Sequence, residues 1–181
     1  MFKKVISLVA LGLFVTLSPA FAQTQTIGVV DVQKILQESA AGKSIHNQLE
    51  AKRNGYQKEI SGKENTLRGM EKSILDQKST MNEEQFNAKR KEFEQEVLKT
   101  QKIVQNNKRS LEAGFARALT ELRDEVRATI DTVAKERGFT MVLSQENVII
   151  AQPSIDITDP VVSALNKRIS KIDIDWSIPK N

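Results

Sequence analysis

Apolar residues are sparse through the middle of the chain and evenly spaced. From Ile45 they fall at Leu49, Tyr56, Ile60, Leu67, Met70, Ile74 and Met81, in steps of three, four or seven, which marks one face of a helix. A second series starts at Phe86 and continues through Phe93, Val97, Val104, Leu111, Phe115, Ala118, Leu122, Val126, Ile130 and Val133. No proline interrupts residues 48–137. Between the two series lies KSTMNEEQ, Lys78 to Gln85, where either Thr80 with Glu83 or Asn82 with Gln85 makes a capping box that starts a new helix. The pattern predicts two long antiparallel helices joined by a turn near residues 79–82. At about 1.5 Å per residue the second helix reaches roughly 80 Å, while a globule of this size is only about 30 Å across. The hairpin therefore projects as an arm, zipped along a thin apolar seam and wet over most of its surface.

The two ends of the chain read differently. Ile27-Gly28-Val29-Val30-Asp31-Val32 has the look of a strand. Gly138 is placed to cap the second long helix, and beyond it Phe139–Leu143 and Val148–Ala151 suggest a hairpin of two short strands around a polar turn at Ser144–Asn147. Asp159-Pro160 opens an amphipathic helix through Val161, Val162, Leu165 and Ile169, with Asp159 as N-cap. The fold class is α+β, mostly α. A small β-rich body spans residues 23–41 and 138–170, a helical-hairpin arm spans 42–137, and a C-terminal extension spans 171–181. In that extension Ile172, Ile174, Trp176 and Ile178 alternate with polar residues, which fits an added edge strand on the body or a disordered tail. So small a body buries little apolar surface alone. Association of several copies is the natural remedy, and it gathers several arms around one centre.

Composition and charge refine this. Lys3 and Lys4, the apolar run Val5–Leu17 and the small-x-small site Ala20-Phe21-Ala22 read as a cleaved secretory signal peptide over residues 1–22, with Gln23 the mature start. No later segment is apolar enough to cross a membrane. The full chain holds 27 basic and 23 acidic residues, and without Lys3 and Lys4 the excess falls to +2. Between Glu50 and Arg109 lie 24 charged residues, 14 basic and ten acidic, so the arm carries the positive excess. Cysteine is absent, which excludes disulfides and thiolate metal sites.

The chain offers little catalytic chemistry. Gly42-Lys43-Ser44 after an apolar run has the order of a phosphate-binding loop. The glycine that such a loop needs five residues earlier is replaced by Gln37, so the motif reads as a break between a short helix and the arm. His46 is the only histidine and reads as a solvated helix residue. Asp156, Asp159, Asp173 and Asp175 lack the glycine-hinged spacing of a calcium loop. Neither cofactor nor metal is expected. Lys89, Arg90, Lys91, Lys108 and Arg109 are interleaved with glutamates, unlike the one-sided face of a nucleic-acid binder. They are candidates for contact with anionic lipid, lipopolysaccharide or an acidic client, and nucleic acid is not expected. Gly55, Gly62 and Gly69, seven residues apart, suggest either close helix approach or an arm that bends.

Several motifs together carry a resemblance. Ile27–Lys43, IGVVDVQKILQESAAGK, resembles the opening of the Skp/OmpH family of periplasmic chaperones for outer-membrane proteins. GFTMVL at 138–143, VIIA at 148–151 and DITDPVVSALN at 156–166 are similar to the end of that family, so the likeness covers about residues 27–167. The resemblance implies a homotrimer shaped like a jellyfish, whose β-rich body carries three helical arms around a cavity. It implies no enzymatic activity; unfolded outer-membrane β-barrel precursors are held there without ATP. On that reading Met70, Ile74, Met81, Phe86 and Phe93 are the candidate client contacts. The competing expectation is a structural or tethering coiled-coil protein of the cell envelope, with no client cavity.

Overall fold

A computed structural model describes residues 26–178. The signal peptide expected over residues 1–22 lies outside the described residues, as do the last three residues of the extension. Strand β1 (Ile27–Val30) leads into a short helix α1 (Val32–Glu38), whose N-cap Asp31 accepts from the Lys34 amide at 2.9 Å. The long helices α2 (Ala40–Asp76) and α3 (Glu83–Glu136) follow, then strand β2 (Met141–Ser144) and helix α4 (Thr158–Arg168). At about 1.5 Å per residue, α3 is close to 80 Å long.

Local chemistry explains the punctuation. Of the two capping boxes the sequence allows, Asn82 with Gln85 is the one formed: the Gln85 amide donates to Asn82 Oδ1 at 2.8 Å and the Asn82 amide to Gln85 Oε1 at 3.2 Å. At the other end of α3, Gly138 adopts φ 73°. The Gly138 amide donates to the Lys135 carbonyl and the Phe139 amide to the Ala134 carbonyl, the paired bonds of a Schellman cap.

Gly42-Lys43-Ser44 sits within the first turn of α2, as helix and not as an open loop. Ser39 caps that helix by accepting from the Gly42 amide at 3.1 Å. A Cβ on Gly42 would lie only 1.8 Å from the Leu36 carbonyl oxygen. Glycine is there to let the end of α1 run against the start of α2. By contrast, a Cβ on Gly55, Gly62 or Gly69 meets nothing within 4 Å, so close helix approach does not explain those three.

The core lies entirely at one end of the hairpin. Ala118, Leu122, Val126 and Val133 of α3 pack against Ile35, Ala41, Ile45, Ile157, Val161 and Leu165. Among the described residues, α2 buries no apolar side chain beyond Ile45, and toward the tip from Gly114 α3 buries only Thr100 and Ser110. The arm thus has no interior of its own, as the thin seam predicts.

Three expectations for the ends of the chain are corrected. Strands β1 and β2 form a two-stranded parallel sheet, Ile27 opposite Met141 through Val30 opposite Ser144, so the whole arm is the crossover between them. The expected hairpin partner, Val148–Ala151, is not a strand. The chain makes a 3-10 turn at Gln145–Asn147 and then swings back, so that Val29 bridges Asp156 and the Ile157 amide donates to the Val29 carbonyl at 2.9 Å. Asp159 is not the cap of α4. Ile157 holds that position, Asp156 Oδ1 accepts from the Thr158 amide, and Asp159 is drawn off to Lys34 at 2.8 Å.

The third correction concerns the extension, which is neither an edge strand nor free. Residues 171–178 run extended along the root of the arm. Ile172 and Ile174 are buried, and Trp176 packs against the core. No sheet receives this segment, because side chains of α2 and α3 take its backbone hydrogen bonds.

Gly42→Ala is expected to lower stability by roughly 1–3 kcal/mol, as overpacking does. Gly55→Ala, Gly62→Ala and Gly69→Ala should each raise it by up to about 1 kcal/mol. Thermal unfolding followed by circular dichroism reads both signs.

Candidate functional site

With no enclosed interior, the arm offers its flanks and its seam. The seam is tied by three polar contacts between α2 and α3. Tyr56 Oη donates to Ser110 Oγ at 3.0 Å, Asn107 Nδ2 to Glu59 Oε2 at 3.0 Å, and Lys63 Nζ to Glu96 Oε1 at 3.0 Å. The Lys63 hydrogen bond, helped by the nearby charges of Lys63 and Lys99, holds the Glu96 carboxyl below its ordinary range. Half-buried and still in contact with water, the Lys63–Glu96 pair contributes modestly. The arm is zipped by several weak contacts and no strong one.

The apolar residues picked out by periodicity occupy this seam. Met70, Ile74, Met81, Phe86 and Phe93 are each half-buried. Met70 and Ile74 come together with Lys89 and Glu92 around a groove of about 350 Å³ near the tip. Toward the root, Tyr56, Ile60, Val104 and Leu111 line a second groove of about 350 Å³, with Lys108 at its rim. A third, of about 420 Å³, opens where α1 and α2 meet α3, between Leu36, Ile45, Phe115 and Leu119.

The most exposed apolar side chains on the arm are ones that periodicity passed over. Leu75 and Leu98 are each 65% exposed. They stand one position off the seam, beside Ile74 and Val97, and so point to solvent. The available signal was an apolar residue out of phase with the stripe, which a search for the stripe discards. On the body, Ile27, Met141 and Leu143 of the sheet are exposed, and so are Ile149 at 100% and Ile150 at 88% in the segment after β2.

The basic residues do not form one patch. Lys89, Arg90 and Lys91 follow one another on a helix and so fan out around it, with about 100° between neighbours. Arg90 pairs with Glu94 at 3.2 Å and Lys108 with Glu112 at 3.9 Å. Among the described residues Lys89, Lys91 and Arg109 have no ion-pair partner. Also among the described residues, no group of three acidic or histidine side chains is placed to hold a metal. No described helix is long and apolar enough to cross a membrane.

Comparison with known proteins agrees on one family. The family model described as outer membrane protein (OmpH-like) matches residues 26–165. The chaperone protein Skp of Yersinia enterocolitica is 27% identical over 164 residues, covering 88% of this chain and 97% of that protein. The chaperone protein Skp of Pectobacterium atrosepticum is 28% identical over 167 residues, with 88% and 97% covered. A solved OmpH-like structure from Caulobacter crescentus shares the fold, with a TM-score of 0.79 at 23% identity, over 83% of this chain and 89% of that one.

The seam should be acid-sensitive. A carboxyl whose folded pKa lies below the ordinary 4.5 stabilises the fold fully above that value and loses the contribution as pH falls through the depressed one. Amide protection factors around Lys63 and Glu96, taken against the intrinsic exchange rate at each pH, should therefore be higher at pH 7 than at pH 3. In Glu96→Gln that pH dependence should shrink.

Proposed function

Because the chain belongs to the OmpH-like outer membrane protein family, a family of non-enzymatic chaperones, we propose that it is an ATP-independent periplasmic holdase for unfolded outer-membrane β-barrel precursors. It reaches the periplasm through its cleaved signal peptide and works as a homotrimer. Three bodies join through their sheets, and three arms enclose a cavity.

The observation that carries this reading is the contrast between the two ends of the molecule. At the body, a two-stranded sheet is too small to stand alone. It leaves Met141, Leu143, Ile149 and Ile150 in water, as a surface awaiting other copies would. On the arm, Leu75, Leu98, Val104 and Phe115 are exposed but scattered singly among charges. Isolated apolar contacts of that kind hold an unfolded chain weakly at many points, and three arms supply the avidity. Met70, Ile74, Met81, Phe86 and Phe93 contribute where the seam opens. Lys89, Lys91 and Arg109 offer charge to acidic clients or to anionic lipid or lipopolysaccharide headgroups.

Mass measurement in solution should give three copies per particle. One trimer per client should keep a urea-unfolded outer-membrane barrel soluble on dilution, without nucleotide. A monomeric particle that binds a folded envelope partner and leaves the barrel to aggregate would favour the tethering coiled coil instead. Ile149→Asp with Ile150→Asp should dissociate the trimer. Leu75→Ser with Leu98→Ser should weaken client capture and leave the thermal midpoint within a degree or two, as surface changes do.

A further inference from the structure

Residues 171–178 lie beyond the stretch that matches the family model, and they are seated as a peptide ligand would be. The seat has two kinds of feature. Side chains of the long helices grip the backbone of the segment. Gln48 Nε2 donates to the Ile172 carbonyl at 2.7 Å, and Gln48 Oε1 accepts from the Ile174 amide at 3.2 Å. Ser110 Oγ donates to the Trp176 carbonyl at 2.6 Å, and Arg117 Nη2 donates to the Asp175 and Ser177 carbonyls, both at 2.7 Å.

Sockets take alternate side chains. Ile172 is 2% exposed and Ile174 7%, while Trp176 lies within 5.6 Å of Lys52 Nζ in a cation–π contact. Lys171, Asp173 and Asp175 face water. Gly114 is the floor of the seat. A Cβ there would come within 2.9 Å of the Asp175 carbonyl oxygen and 3.0 Å of both Ile174 and Trp176.

Backbone bonds that any sequence can make, with pockets for every second residue, are the means by which proteins bind extended strands. We propose that the root of the arm is a binding groove for an extended segment with apolar side chains at alternate positions, and that residues 171–178 are its tethered resident. The strands of an unfolded outer-membrane barrel carry this alternation, apolar toward lipid and polar toward the lumen. The external ligand class follows from that chemistry, so this half of the proposal rests on the client class proposed above. Tethering makes the tail a competitor at an effective concentration on the order of millimolar. The groove is thus shut in the resting chain and opens only when residues 171–178 lift from it.

The test uses a fluorescent peptide of residues 170–178 and the mature protein ended after Ser170. The peptide should bind the shortened protein. It should bind the full-length mature protein about 100-fold more weakly, as expected for a ~10 μM ligand facing a tether of about millimolar strength. A barrel-strand peptide with alternating apolar residues should displace it, and a peptide of the same composition with its apolar residues in one block should not. Failure of the tail peptide to bind overturns the groove. Binding without displacement by the strand peptide overturns the ligand class and leaves the groove. Aggregation suppression by the full-length protein, measured separately, shows whether the chaperone reading itself has failed.

Should the shortened protein not fold, Gly114→Ala in the full-length chain decides. Alanine favours the helix but fills the seat, so the thermal midpoint should fall and exchange at the Ile174 amide should quicken. A midpoint that rises with the Ile174 amide still protected would overturn the proposal.

Discussion

The structure depends on one patch of apolar packing at one end of a helix far longer than the patch. Ala118, Leu122, Val126 and Val133 of α3 close against α1, the start of α2, and α4. Every other element is placed by that closure. Ser39 and Gly42 turn the chain from α1 into α2 within it, Asp156 and Thr158 start α4 beside it, and the sheet is laid across its edge. Hydrophobic burial is proportional to the apolar area removed from water. The rest of α2 and α3 therefore gains little from this core and relies on propensity, caps and a few polar cross-links. The stable end can hold a defined oligomeric surface, while the weakly zipped end can adapt to a partner of no fixed shape.

What the sequence made legible was local or periodic. The seam residues from Ile45 to Val133 follow helical spacing, and all but Met81, which falls in the turn between the helices, lie along α2 and α3. Gly138 and the Asn82–Gln85 box act within four residues of themselves, so their roles could be read without tertiary knowledge. The missing glycine at Gln37 ruled out a phosphate loop, and Ser39 and Gly42 show what the motif does instead. Long-range choices were not legible. Val148–Ala151 has the composition of a strand, yet among the described residues no strand pairs with it. Asp159 suits an N-cap, but Lys34, distant in sequence, draws it away.

The candidate site divides along the same line. Half-buried seam residues such as Met70 and Phe93 were found because they obey the period. Leu75 and Leu98 were missed because they break it, and breaking it is what leaves them exposed. The extension is the sharpest case. Its two-residue alternation was visible, but alternation says only that one side of an extended segment is apolar. It does not say what that side meets. The answer lay in Gln48, Ser110, Gly114 and Arg117, unremarkable residues on two helices whose common purpose appears only once the helices are paired.

The parallel pairing of β1 with β2 also constrains how the molecule is made. Ile27 must wait for Met141, so the first strand has no β2 partner until the whole arm has been synthesised. Contacts this distant in sequence form late, because their loop-closure cost comes before any reward. The arm can assemble early from neighbouring turns, while the sheet and the apolar surface beside it come last. In the proposed homotrimer an incomplete chain would therefore lack the surface through which copies join, and topology alone would keep partial products out.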